Sequence, residues 1–118
     1  MRIGPGTAAT VARWLEKPAL RWWPHPPSLR RAHAVASQLV RPALPGLERH
    51  RLDTPGPGGA VTCWRLVPPG PAPRGTVIYL HGGGFTLGSE ATHRQLAARL
   101  AQAAGAAALV VEYRLAPE

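Results

Sequence analysis

The feature that most constrains this chain is a strand-type run broken by three glycines and then followed by a helical pattern and a second strand-type run. Thr76-Val77-Ile78-Tyr79-Leu80 is continuously apolar and β-branched, as expected of a strand buried on both faces. His81-Gly82-Gly83-Gly84-Phe85 follows at once. From Glu90 to Ala104, Leu96, Ala97, Leu100, Ala101 and Ala104 fall on one helical face, with Gln95, Arg99 and Gln102 on the other. Ser89 is placed to cap the start, Glu90 suits the helix dipole, and Gly105 stands where a left-handed C-terminal cap belongs. Ala107–Glu112 reads as a second buried strand. Strand, helix, strand in this order is a βαβ unit, which requires a parallel pair and makes the fold class α/β.

The segments before this unit are of two kinds. Residues 1–45 form a helical segment. Ala8, Val11, Ala12 and Leu15 share a face between Thr7 as cap and Pro18 as stop. Ser28 can cap a second helix whose Leu29, Ala32, Ala36, Leu39 and Val40 share a face, closed by Pro42; the aromatic connector Trp22-Trp23 lies between the two. Residues 46–118 form the α/β part. It opens with strands at Leu47–Asp53 and Ala60–Val67, joined by a Pro/Gly loop as in a long-looped hairpin. At 118 residues, nothing forces the chain beyond one small core.

The formal charge is +8, and half of the basic residues precede Ala43 against Glu16 alone. Such a surface can attract nucleic acid or anionic lipid. No nucleic-acid recognition motif accompanies the charge, which argues against a nucleic-acid partner. Contact of the basic N-terminal helices with a membrane surface stays open. No apolar run reaches the roughly 18 residues of a span, and charges interrupt the N-terminus where a signal peptide would be apolar. The single Cys63 allows no internal disulfide and fits a reducing, cytoplasmic setting; mid-strand, it reads as a buried inert thiol.

Three glycines after a strand let backbone N–H groups approach a ligand closely. Donors held that way can stabilise the anion formed when an acyl carbonyl is attacked. A glycine-rich turn without chemistry and a phosphate-binding loop remain open on the glycines alone. Against a dinucleotide fingerprint, Leu87 stands where the third glycine of G-x-G-x-x-G would be; against a P-loop, no Lys-Ser/Thr follows.

The wider segment narrows this. His81-Gly82-Gly83-Gly84-Phe85, Leu87-Gly88-Ser89 and Glu112-Tyr113-Arg114-Leu115-Ala116-Pro117-Glu118 together resemble the hormone-sensitive-lipase-like carboxylesterases, which carry HGGGF and YRLAPE blocks at this spacing. The strong resemblance covers Thr76 to Glu118. It implies an α/β-hydrolase fold, of which this chain would be the N-terminal portion: cap-like helices, an opening β-hairpin and the first parallel βαβ unit. It implies a serine esterase of short- to medium-chain acyl esters, with a small-molecule ester as partner and no cofactor or metal. It makes the backbone N–H groups of Gly83 and Gly84 the oxyanion donors, Gly82 and His81 shapers of the loop, and Phe85 a neighbour of the acyl site. Tyr113, Arg114, Pro117 and Glu118 become scaffold residues.

In that family the nucleophile sits in a later G-x-S-x-G elbow, followed by an acid and a histidine. Ser28, Ser37 and Ser89 each lack glycines at −2 and +2, so none is an elbow serine. The chain is therefore expected to stop before its nucleophile, acid and base and to be inactive alone. The resemblance also implies that a strand beside Thr76–Leu80 is missing, which leaves one edge open. The rival reading is a non-catalytic small-ligand-binding protein on the same fold.

Overall fold

The computed structural model describes residues 26–116. The expected first helix and the Trp22-Trp23 connector lie outside them. The order is α1 (Pro26–Val40), β1 (Glu48–Thr54), β2 (Val61–Val67), β3 (Thr76–Tyr79), α2 (Glu90–Ala104) and β4 (Ala107–Glu112).

The four strands form one sheet in the order β1-β2-β4-β3. β1 and β2 are the expected hairpin, antiparallel with Leu52 opposite Cys63. β2 runs antiparallel to β4, and β3 runs parallel to β4 with Val77 opposite Ala108 and Tyr79 opposite Val110. This is the predicted βαβ unit, with α2 as its crossover.

The core lies between α2 and the centre of the sheet. Leu66, Ala97, Ala98, Ala101, Ala108 and Val110 are buried there, with Leu44, Leu47, Trp64 and Tyr79 packed around them. Alanines on both α2 and β4 let helix and sheet approach closely, so the core is shallow and depends on Leu66 and Val110 for volume. α2 is fixed at both ends. Ser89 accepts from the Thr92 N–H while the Thr92 hydroxyl accepts from the Ser89 N–H, and Gly105 closes the helix in the left-handed region.

Four expectations are corrected. α1 begins at Pro26, so Ser28 sits inside its first turn and not at its cap. Its presumed apolar face is not the packed one: Leu39 and Val40 are exposed, whereas His33, Ala34 and Ser37 are half-buried. On α2, Leu100 and Ala104 are exposed, while Ala98, Glu90 and Thr92 join Ala97 and Ala101 inside. The helix is rotated so that small residues meet the sheet, Leu96 is half-buried and Leu100 is turned outward. Finally, Thr76–Leu80 is not buried on both faces. β3 is the edge strand: Val77 and Tyr79 are half-buried, and Ile78 and Leu80 are two-thirds exposed.

Candidate active site

The glycine loop leaves the end of β3 and turns sharply before α2. His81 is buried at its root, with 3% of its surface exposed. Its ring stacks on Tyr113 at 4.4 Å and on His93 at 5.6 Å. Nδ1 lies 3.1 Å from the Gly82 carbonyl oxygen. A carbonyl only accepts, so this contact requires the proton on Nδ1. The Tyr113 hydroxyl donates to the His81 carbonyl and lies 3.2 Å from Nδ1. Among the described residues Nε2 has no hydrogen-bond partner; it faces Glu112 Oε2 at 3.9 Å.

These contacts fix the peptide planes that follow. In a planar trans peptide the C=O of one residue and the N–H of the next point in opposite directions. The Gly82 oxygen is held on the His81 ring, which turns the Gly83 N–H the other way. The Gly83 oxygen accepts from Thr86 N at 3.2 Å, Leu87 N at 3.0 Å and the Thr86 hydroxyl at 3.1 Å. The Gly84 N–H is therefore directed out of the turn. Among the described residues neither Gly83 nor Gly84 donates its N–H to any acceptor, and Gly82, Gly83 and Gly84 are all exposed.

The closeness of this turn explains its composition. A Cβ on Gly83, at φ +133°, would overlap the Leu87 carbonyl. One on Gly88 would run into the Gly82 oxygen and the His81 ring. Gly84 and Phe85 both occupy the left-handed region, at φ 61° and 59°. For a bulky residue such as Phe this is a strained conformation. The Phe85 carbonyl accepts from Ala116 N at 2.7 Å, and the ring stands edge-on to Tyr113 at 6.0 Å but is 72% exposed.

Where the loop ends, Glu90 anchors it. Its carboxylate is buried and takes both arms of two guanidinium forks, Arg49 at 3.0 and 2.9 Å and Arg94 at 2.6 and 2.8 Å. Burial opposes ionisation of Glu90, but the forks from Arg94 and Arg49 together outweigh it and hold the carboxyl below its ordinary range. Arg49 also lies over the Trp64 ring at 3.5 Å, and the Glu90 N–H donates to Glu112 Oε1 at 2.8 Å. One side chain thus ties α2 to β1, while its backbone meets the end of β4. Nearby, burial lowers the pKa of His93, helped by the charges of His81, Arg41 and His33 and opposed by a hydrogen bond to the Ser89 backbone, which favours the protonated ring.

The structure thus draws together His81, Gly82, Gly83, Gly84 and Phe85, and adds Tyr113 and Glu112, whose contacts with His81 no local sequence signal marks. Ser89 is occupied as the helix cap, and the Ser37 hydroxyl bonds back to the carbonyls of His33 and Ala34. Cys63 is buried within β2. Among the described residues no group of three or more His, Cys, Asp or Glu side chains could hold a metal. No described helix is long and apolar enough to cross a membrane.

Comparison with known proteins agrees with this layout. Residues 77–118 match the α/β-hydrolase fold family. LipR of Mycobacterium tuberculosis, an acetyl-hydrolase by name, is 57% identical over 53 residues, which is 45% of this chain and 17% of that protein. An acetyl esterase of Salmonella paratyphi A is 31% identical over 106 residues, 87% of this chain and 32% of the esterase. An esterase of the bacterial hormone-sensitive lipase family superposes with a TM-score of 0.68 at 32% identity, over 79% of this chain and 30% of that structure. The chain spans a third or less of the length of these relatives. The sheet, crossover and glycine loop are those of an α/β-hydrolase fold. More narrowly, the chain resembles the hormone-sensitive-lipase-like carboxylesterases.

Proposed function

We infer that this chain is the oxyanion-binding front of a serine carboxylic-ester hydrolase acting on short- to medium-chain acyl esters. The observation that carries this reading is the pair of carbonyls, Gly82 and Gly83, tied into the loop so that the next two N–H groups face outward and donate to no described residue. The names of the acetyl-hydrolase and acetyl esterase relatives support the substrate class.

In this mechanism a serine hydroxyl from the rest of a longer protein adds to the ester carbonyl carbon, and a base takes its proton. The C=O electron pair moves onto oxygen, and that oxyanion accepts hydrogen bonds from Gly83 N–H and Gly84 N–H. Collapse expels the alcohol, and water then releases the carboxylic acid from the acyl-enzyme by the same route. Because the donors are aimed before substrate arrives, they cost no reorganisation as charge develops. Gly82 and His81 hold the first donor, and Phe85 borders the acyl group. A cytoplasmic setting fits the unpaired Cys63.

The test is hydrolysis of p-nitrophenyl acetate and butyrate by the complete protein and by the 118-residue chain. The complete protein should turn over and the short chain should show only background. Turnover by the short chain that survives Ser89→Ala would overturn the division of roles. A folded complete protein that binds esters without hydrolysing them would support the ligand-binding alternative.

A further inference from the structure

Arg30 lies near the start of α1, far in sequence from the glycine loop, yet its guanidinium reaches two backbone carbonyls there. Nε donates to the Thr86 oxygen at 3.0 Å and Nη2 donates to the Ala116 oxygen at 2.7 Å. Both acceptors matter to the turn. Thr86 is the residue whose N–H and hydroxyl close on the Gly83 oxygen. Ala116 is the residue whose N–H holds the Phe85 oxygen at 2.7 Å. The guanidinium therefore staples the loop after β3 to the loop after β4 at the point where their backbones already meet.

A staple is needed here for a physical reason. Consecutive glycines have many backbone conformations open to them. Phe85 at φ 59° is a costly conformation that persists only where its surroundings over-determine it. Its own carbonyl is held by Ala116, and the next carbonyl by Arg30, so the strained residue is fixed on its C-terminal side by two bonds. The planar fork of arginine sets the distance between the two acceptors, which a lysine ammonium cannot do.

We propose that Arg30 is a positioning residue of the oxyanion loop: by bridging the Thr86 and Ala116 carbonyls it locks the turn that aims Gly84 N–H and Phe85, and so couples α1 to the acyl site. Its kinetic consequence rests on the ester-hydrolase reading, whereas the staple itself can be measured without turnover.

The experiment uses the complete protein with Arg30→Ala and Arg30→Lys. With p-nitrophenyl acetate, Arg30→Ala should lower kcat by about 10²-fold, the scale expected when reacting groups are misplaced by about 1 Å, and leave KM nearly unchanged. Millimolar guanidinium ion should return part of that kcat to Arg30→Ala and do nothing for Arg30→Lys. Amide exchange followed in the same variants should quicken at Leu87 and Ala116, while central amides of α2 and β4 keep their protection. If Arg30→Ala does not fold, Arg30→Lys carries the same exchange and kinetic tests. Unchanged exchange at Leu87 and Ala116 in a folded variant overturns the staple, as does a loss of kcat that lysine restores in full. If the unsubstituted protein hydrolyses no ester, the ester-hydrolase reading fails, and the exchange data still decide whether Arg30 holds the loop.

Discussion

Two apolar regions of this molecule read alike in sequence and meet opposite fates. Where α2 meets β4, side chains are fully enclosed: Ala98, Ala101, Ala108 and Val110 have no exposed surface. α1 and β3 with the residue after it turn Leu39, Val40, Ile78 and Leu80 outward. Apolar periodicity defines a face, but the partner decides whether the face is inside. In the first region helix and sheet cover one another and Glu90 fastens the end of the contact. In the second, β3 is the sheet edge, α1 reaches the loops through Arg30, and the segment after α1 is held by Gln95 accepting from Leu44 N at 2.7 Å and Arg99 donating to the Pro42 carbonyl at 3.2 Å.

The difference is largest in the cost of truncating side chains. Leu66→Ala should lose about 2–5 kcal/mol, because it removes a fully buried side chain from a shallow core. Leu39→Ala and Ile78→Ala should each stay within about 0.5 kcal/mol, as at other exposed positions. Urea unfolding of the three variants measures this directly, and equal losses would erase the contrast between the regions.

A second probe is the Glu90 anchor. Glu90→Ala should cost about 3 kcal/mol, at the low end for breaking a buried ion pair, since the half-exposed Arg49 and Arg94 can rehydrate. Its pH dependence has a definite sign. A carboxyl held below its ordinary 4.5 gives up its proton more readily in the folded chain than in the unfolded one. Its contribution is therefore complete above 4.5 and is lost as pH falls through the lower folded value. Glu90→Gln should flatten that acid limb of the stability curve; an unaltered limb would assign the acid sensitivity elsewhere.

The smallest effect concerns the histidine at the loop root. Tyr113→Phe removes the hydroxyl that meets the His81 carbonyl and lies beside Nδ1, at a cost of about 1 kcal/mol. Gly83 N–H direction should survive, since the His81 contact to Gly82 remains. Thermal unfolding compares it with the unsubstituted chain, and a loss as large as that of Leu66→Ala would place the loop root within the core.

What could be read from sequence follows the range of the signals involved. The caps at Ser89 and Gly105 are local signals, and α2 has its predicted ends. The hairpin and the βαβ order also follow from local patterns. The rotation of α2 was not legible, because the close fit of Ala97, Ala98 and Ala101 to Ala108 depends on the sheet and not on the helix alone. The glycine motif and its residues were legible as a group. Tyr113 on His81, and Arg30 on Thr86 and Ala116, join residues 32, 56 and 86 positions apart and leave no local trace. Glu90 was legible as a helix-dipole residue, but its burial between two arginines was not.

The central claim is that the glycine turn aims two backbone donors, and Gly83 is where it is most exposed to failure. The direct measurement is kcat and KM for p-nitrophenyl acetate in the complete protein carrying Gly83→Ala, with circular dichroism to establish folding. The added Cβ overlaps the Leu87 carbonyl and must displace the donor, while Gly84→Ala, which strains the left-handed φ of 61° but meets no described atom within 4 Å, serves as the milder control. Gly83→Ala should lower kcat by about 10²–10³, the usual loss for one oxyanion donor, with KM within about twofold. A folded Gly83→Ala protein with unchanged kcat would contradict that claim.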